Sequence, residues 1–216
     1  MSEEKADVGT IILAAGAASR MGQPKQLLPF KGRSLLRRMT DAALASKSQT
    51  IVVVVGANAE RVRQDIENLP VLIALNDHWH QGMGTSVRAG LEALERADGE
   101  GKLGAAVLMP CDQPHLGPET LNRLIDAHRV TGKPIVVSGY SDIWGTPMLF
   151  ARSLWPELQE LDAKRGAQSV ALRHAEAVEC VPFPLGAFDL DTRDDYERLL
   201  ANTELASVED RRENQA

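Results

Sequence analysis

The 216-residue chain is 44% hydrophobic and 25% charged, the composition of an ordinary folded domain, which excludes disordered and fibrous classes. Its formal net charge of −6 leaves no broad pull toward nucleic acid, so any phosphate it binds must meet positive charge concentrated locally. The opening MSEEKADVG is acidic and polar, and no apolar run approaches the roughly 18 residues of a membrane span, which predicts a cytoplasmic protein with neither a membrane nor a nucleic-acid partner.

In chain order, VGTIILAA (8–15), TIVVVVG (50–56), VLIALN (71–76), GAAVLMP (104–110) and PIVVS (134–138) are short, β-branched and apolar, and read as buried strands. Between them SLLRRMTDAALAS, NAERVRQDIENL, MGTSVRAGLEALERA and GPETLNRLIDAHRVT repeat apolar residues every three or four positions, as amphipathic helices do. That alternation predicts an α/β domain: right-handed βαβ units and a mainly parallel twisted sheet with helices on both faces, three layers in all. Beyond residue 139, TPMLFA (146–151) reads as a strand, ARSLWPELQELD (151–162) as a helix broken or begun near Pro156, and AEAVECVPF (175–183) as a further strand. DTRDDYERLLAN (191–202) closes the fold as a helix with Asp191 or Thr192 as N-cap. One domain over 7–203 is expected, with 204–216 a charged, disordered tail. Cys111 and Cys180 lack metal-ligand spacing and are expected to be reduced interior residues without a disulfide.

The first strand runs directly into LAAGAASRMGQPKQLLPFKG (13–32), a loop holding two glycines and the cations Arg20 and Lys25. In an open parallel sheet, ligands bind beyond the carboxyl ends of the strands, so this loop lies where a triphosphate would find amides and positive charge together. Gly16 and Gly22 are expected to supply special backbone conformations or close ligand approach. The GxGxxG and GxxxxGK[ST] phosphate loops are absent. Asp112 follows the strand VLMP, where its carboxylate would project into the crevice. In DLD, alternation puts Asp189 and Asp191 on one face, although Asp191 competes for the role of cap. In NDHWHQGMGTSVRAGL, Gly82 and Gly84 make a tight turn into a helix N-terminus, and Ser86 adds a hydroxyl. His78 and His80, two apart without a third ligand, read as loop residues rather than a zinc site. Trp79 either stacks on a ring or packs.

The segment 13–32 closely resembles the LAAGxSxRMGxPKxLLPxxGxxLL signature of nucleotidyltransferases related to molybdenum cofactor cytidylyltransferase, the MobA-like NTP transferases. The first serine of that pattern is replaced by Ala18, or met by Ser19 with one residue more before it. The resemblance continues through GMGTSVRAGL (82–91), MPCDQP (109–114), GTPMLF (145–150) and FDLDTRDDY (188–196). It implies a Rossmann-like fold that transfers a nucleoside monophosphate from a triphosphate to a phosphorylated acceptor with magnesium (Mg2+), releasing pyrophosphate. It places Lys25 at the α-phosphate, Arg20 along the β- and γ-phosphates, and Asp112 as the third catalytic group. The nucleotide would lie on Leu13, Ala14, Ala15, Gly16, Gly82 and Ser86, with the amides of 14–16 near base and phosphates. Asp112, Asp191 and Asp189 are the implied metal ligands, Asp191 favoured over Asp189.

Related cytidylyltransferases carry LAAG where guanylyltransferases carry LAGG, so Ala15 favours CTP over a purine nucleotide. The implied acceptor is a phosphorylated pterin cofactor, with a molybdoenzyme or its maturation chaperone downstream. Where that branch carries GDxGAR, this chain has DAKRGAQ (162–168), with Lys164 in place of Asp. That departure leaves open a sugar or polyol phosphate acceptor, the use of GTP, and a non-catalytic cofactor-delivery protein.

Overall fold

A computed structural model describes residues 6–18 and 21–202. Ser19, Arg20 and the tail over 204–216 lie outside them. Seven strands form one sheet: β1 (Asp7–Leu13), β4 (Thr50–Val55), β5 (Leu72–Leu75), β6 (Leu103–Pro110), β7 (Ile135–Tyr140), β8 (Ile143–Ala151) and β9 (Val178–Pro182), in the order β5-β4-β1-β6-β8-β7-β9. The short pair β2 (Pro29–Phe30) and β3 (Arg33–Ser34) stands apart. Strands β5, β4, β1 and β6 are mutually parallel, as the βαβ pattern predicts, and β7 pairs in parallel with β9.

Among the described residues of this sheet only β8 runs antiparallel, to both β6 and β7. It returns from β7 through a two-residue turn in which Ser141 and Asp142 take φ of 49° and 60°. Positive φ at both central positions marks the turn whose twist suits a hairpin.

Strand residues alternate between two cores. Val8, Ile12, Val53, Val107 and Met109 face α1 (Leu35–Leu44), α2 (Ala59–Ile66) and α4 (Pro118–Thr131). Ile11, Val52, Val54, Ala106 and Leu108 face α3 (Met83–Ala97), α5 (Trp155–Gln159) and α6 (Gln168–Arg173). Apolar side chains on both faces account for the unbroken VVVV of β4. Helix α3 lies so close to β1 that a Cβ at Gly90 would come within 2.4 Å of Ile11 Cγ2.

The helix expected to break or begin near Pro156 does so: a 3-10 turn, Arg152–Leu154, precedes α5, because Pro156 lacks an N–H and is tolerated only in a first turn. Helix α6 carries too few turns to stand out by periodicity. One expectation changes. Cys180, expected inside, is exposed, since β9 is the outer strand of the sheet; Cys111 is buried and both are free.

The closing helix α7 spans 193–202. Its cap is Thr192: the Asp195 carboxylate accepts from the Thr192 amide (2.8 Å) and hydroxyl (2.7 Å), and Thr192 Oγ1 accepts from the Asp195 amide at 3.2 Å. This is a capping box, and it leaves Asp191 free. The hydrogen bonds from Thr192 hold the Asp195 carboxyl below the usual carboxylate range. Thr192→Ala is expected to cost about 1 kcal/mol in urea unfolding at neutral pH. A lowered carboxylate pKa stabilises above the ordinary value and loses that contribution as pH falls through the folded one, so the difference between variant and parent should shrink below about pH 4.

Candidate active site

Strand β1 has β4 on one side and β6 on the other, and the chain reverses its order of addition there, opening a crevice beyond the carboxyl ends of β1 and β6. A cavity of about 290 Å³ occupies it, walled by Leu13, Ala15, Gly16, Lys25, Trp79, Gly82, Ser86 and Asp112 among others.

Lys25, from the loop after β1, meets Asp112, from the end of β6: its Nζ donates to Asp112 Oδ2 and lies 3.3 Å from Asp191 Oδ1. Asp191 arrives from 79 residues beyond Asp112 because its segment is tied to the same strand end. Leu190 N donates to Asp112 O at 3.1 Å, and Gln113 Nε2 to Gly186 O at 3.0 Å. Lys25 and Asp112 are 19% and 14% exposed, whereas Asp191 is 59% exposed, so the cluster opens to solvent on the Asp191 side. Burial opposes the charge on Lys25, but the Asp112 carboxylate, with Cys111 and Asp191, outweighs it and raises its pKa. Burial, then the charge of Asp112, pushes the Cys111 thiol up to about 12, so it is no nucleophile near neutrality.

Asp189 stands apart from that pair. It is hydrogen-bonded to Gln113, and burial followed by the charge of Asp112 raises its carboxyl. Two hard carboxylates sharing one ammonium match the half-site magnesium uses, the remaining positions being phosphate oxygens and water. Among the described residues no set of three or more His, Cys, Asp or Glu side chains could hold a metal alone, His78 and His80 included.

The loop differs from expectation at Ala14. Ala14 turns from the cavity, its N–H donating to Val54 O at 2.9 Å as a continuation of the sheet, so that amide is not free for a nucleotide. Gly22 has φ +67°, but Gly16 lacks a left-handed φ, and a Cβ there would meet nothing within 4 Å. What its missing side chain preserves is space.

Arg20 lies outside the described residues. Gly82, at φ +133°, and Gly84 are required by the neighbouring loop: a Cβ at Gly82 would sit 2.2 Å from Ala163 O, and one at Gly84 2.5 Å from Asp162 O. Trp79 lines the cavity and packs, its Cβ 2.7 Å from where a Gly56 Cβ would lie.

Two features escaped the sequence reading. Gln26, fully buried, donates through Nε2 to Ala14 O (2.8 Å) and Gly16 O (2.6 Å), pinning the loop to the strand. Its only sequence signal is a polar residue between Lys25 and two leucines. Gln26→Leu is expected to orphan both carbonyls, lowering stability by about 2 kcal/mol and weakening triphosphate affinity, as unfolding and nucleotide titrations would measure. Asn76, also buried, donates at 2.9 Å to both Thr85 Oγ1 and Ser86 Oγ. Ser86 therefore keeps its own O–H for a ligand in the cavity.

A family model described as "MobA-like NTP transferase domain" matches residues 10–178. Nicotine blue oxidoreductase of Paenarthrobacter nicotinovorans is 32% identical over 202 residues, covering 88% of this chain and 95% of that protein. Rv0371c from Mycobacterium tuberculosis H37Rv has a similar structure, with TM-score 0.79, 30% identity, and coverage of 91% of this chain and 98% of that one. A second structure of Rv0371c is a complex with manganese (TM-score 0.74, 29% identity, 90% and 98% covered). A CMP:2-keto-3-deoxy-manno-octonic acid synthetase complexed with CTP shares the fold at TM-score 0.73 and 13% identity, over 93% of this chain and all of that one.

Proposed function

The chain belongs to the MobA-like NTP transferase family, and from that premise we propose that it transfers CMP from CTP to the phosphate of a molybdopterin-type cofactor, giving the cytosine dinucleotide form and pyrophosphate. One observation carries the reading: Lys25, Asp112 and Asp191 converge at the mouth of a cavity large enough for a nucleotide base and sugar.

An acceptor phosphate oxygen attacks the α-phosphorus and forms a new P–O bond. The bond from that phosphorus to the α,β-bridging oxygen breaks, its electron pair leaving on pyrophosphate. Both reactants are anionic, so acceleration comes from positioning and from fixed positive charge. Lys25 exchanges its carboxylate partners for α-phosphate oxygens, and Arg20 follows the β- and γ-phosphates. Asp112 and Asp191 would hold magnesium, and Asp189 orients that segment through Gln113. When bound, the ion supplies charge neutralisation on the pyrophosphate being formed. Ala15 and Ser86 wall the base pocket. Ala15, 4% exposed in the cavity wall, narrows it where a glycine would leave room, which favours a pyrimidine.

The test offers each NTP with the cofactor and magnesium and follows pyrophosphate. CTP-dependent release is expected, and none with CTP would reject the assignment. A second reading draws on the end-to-end similarity to a protein named an oxidoreductase: reduction of an oxidised ring compound in the same crevice. Oxidation of a nicotinamide donor by nicotine blue, without CTP turnover, would favour it.

A further inference from the structure

Outside the crevice, a cavity of about 300 Å³ lies between the β2–β3 hairpin, α1 and the start of α4. None of the residues that wall it walls the crevice. Three cations reach it, Lys31, Arg33 and Arg38, although the chain as a whole carries a formal net charge of −6. Asp41, in the same wall, is paired with Arg33. The side chains of Lys31 and Arg38 have neither a carboxylate nor a hydrogen-bond acceptor among the described residues. Both lie against the Phe30 ring instead, Lys31 Nζ 5.5 Å and the Arg38 guanidinium carbon 5.0 Å from its centroid.

Two like charges gathered on one ring repel each other, and the attraction of each for the ring offsets only part of that. Arg38 Nε is in addition shut away from water with no acceptor. A buried donor left unmatched costs free energy, and a partly desolvated guanidinium grips an anion harder than a hydrated one. Lys31 is placed by backbone. With Gly32 it makes the two-residue turn of the hairpin, at φ 49° and 79°, a left-handed position where Asn or Gly is usual and lysine is not. The start of α4 already faces a carboxylate of its own, since Glu119 Oε2 lies 2.8 Å from where a Gly117 Cβ would stand. The pull on an anion therefore comes from Lys31 and Arg38 rather than from the helix. Their charge reaches His115, whose pKa is lowered by burial and then by Lys31 and Arg38.

We propose that this cavity is a second anion site, separate from the crevice, in which Lys31 and Arg38 take a dianionic phosphate group. The Arg38 fork suits two of its oxygens and Lys31 supplies a compact charge. Ala42 and Leu116, in the same wall, would meet a short carbon body where the phosphate is esterified. The site stands whether or not the crevice transfers a nucleotide.

The test titrates the full chain with inorganic phosphate, against chloride at equal ionic strength, and follows the His115 imidazole by NMR across pH, with His115→Gln identifying its signal. Phosphate neutralises the two cations that depress His115, so the midpoint should rise; chloride should leave it in place. Lys31 is exposed, so Lys31→Gln keeps the fold, and it should weaken phosphate binding about tenfold, as should Arg38→Gln. Arg38→Lys should recover part of the loss, and Glu119→Gln, which removes the opposing carboxylate, should tighten binding. Propyl phosphate binding more tightly than inorganic phosphate would assign an ester to the site, and equal binding would assign free phosphate. A His115 midpoint that phosphate moves no more than chloride, or unaltered affinity in both Lys31→Gln and Arg38→Gln, would overturn the proposal. Failure to release pyrophosphate with any acceptor would refute the transfer reading and leave this titration standing.

Discussion

Asp112→Asn is expected to lower turnover by roughly two to three orders of magnitude, the loss seen when one preorganised transition-state contact is removed. The substitution preserves shape and a carbonyl oxygen that can still accept from Lys25, so the fold should survive. What disappears is the negative charge proposed to hold a metal at the end of β6, on a side chain only 14% exposed. The magnesium concentration giving half-maximal rate should rise with the fall in kcat. Near-parental turnover, followed by pyrophosphate release, would remove Asp112 from the metal site.

Lys25→Met should cost about a thousandfold in kcat/KM, because the attacking phosphate would then face an α-phosphate with no cation beside it. Lys25→Arg should recover only part of this, since a planar fork does not reproduce a compact ammonium. The free protein is affected too. Lys25 neutralises Asp112 and lies beside Asp191, in a site whose Asp189 carboxyl is already raised by burial and by Asp112. Removing it leaves a mostly buried carboxylate uncompensated, so Lys25→Met should unfold at lower denaturant concentration than its parent. The pH dependence follows from sign: a lysine whose pKa is raised in the folded state contributes stability below its ordinary value and loses it only above. The gap between variant and parent should thus persist undiminished to about pH 10.

The parallel half of the sheet was legible because β-branched runs and helical periodicity are local properties. So was the site's address, since the end of β1 and the end of β6 both carry polar residues straight after apolar strands. The DLD reading left Asp191 divided between metal and cap, and the Thr192–Asp195 box settles the cap. What stayed hidden depends on distant partners. The turn at Ser141-Asp142 lacks the Asn-Gly or Asp-Gly signal, so the antiparallel return of β8 could not be seen. The sequence marks Gly82 as ligand-facing, and it does line the cavity, but its crowding, like that of Gly84, comes from a loop about 80 residues away. Gln26 matters through two carbonyls exposed only when the chain leaves β1. Ala14 looks like its neighbours in the motif, yet its amide still belongs to the sheet.

In the proposed mechanism the loop cation and the two later carboxylates serve one triphosphate. A crystal grown with a non-hydrolysable CTP analogue and manganese, measured at the manganese absorption edge, tests it most directly. A single anomalous peak coordinated by Asp112, Asp191 and triphosphate oxygens is expected, with Lys25 Nζ moved from Asp112 to the α-phosphate. A triphosphate bound elsewhere, or one seated in the crevice with the Lys25–Asp112 pair intact and the metal away from both aspartates, would contradict it.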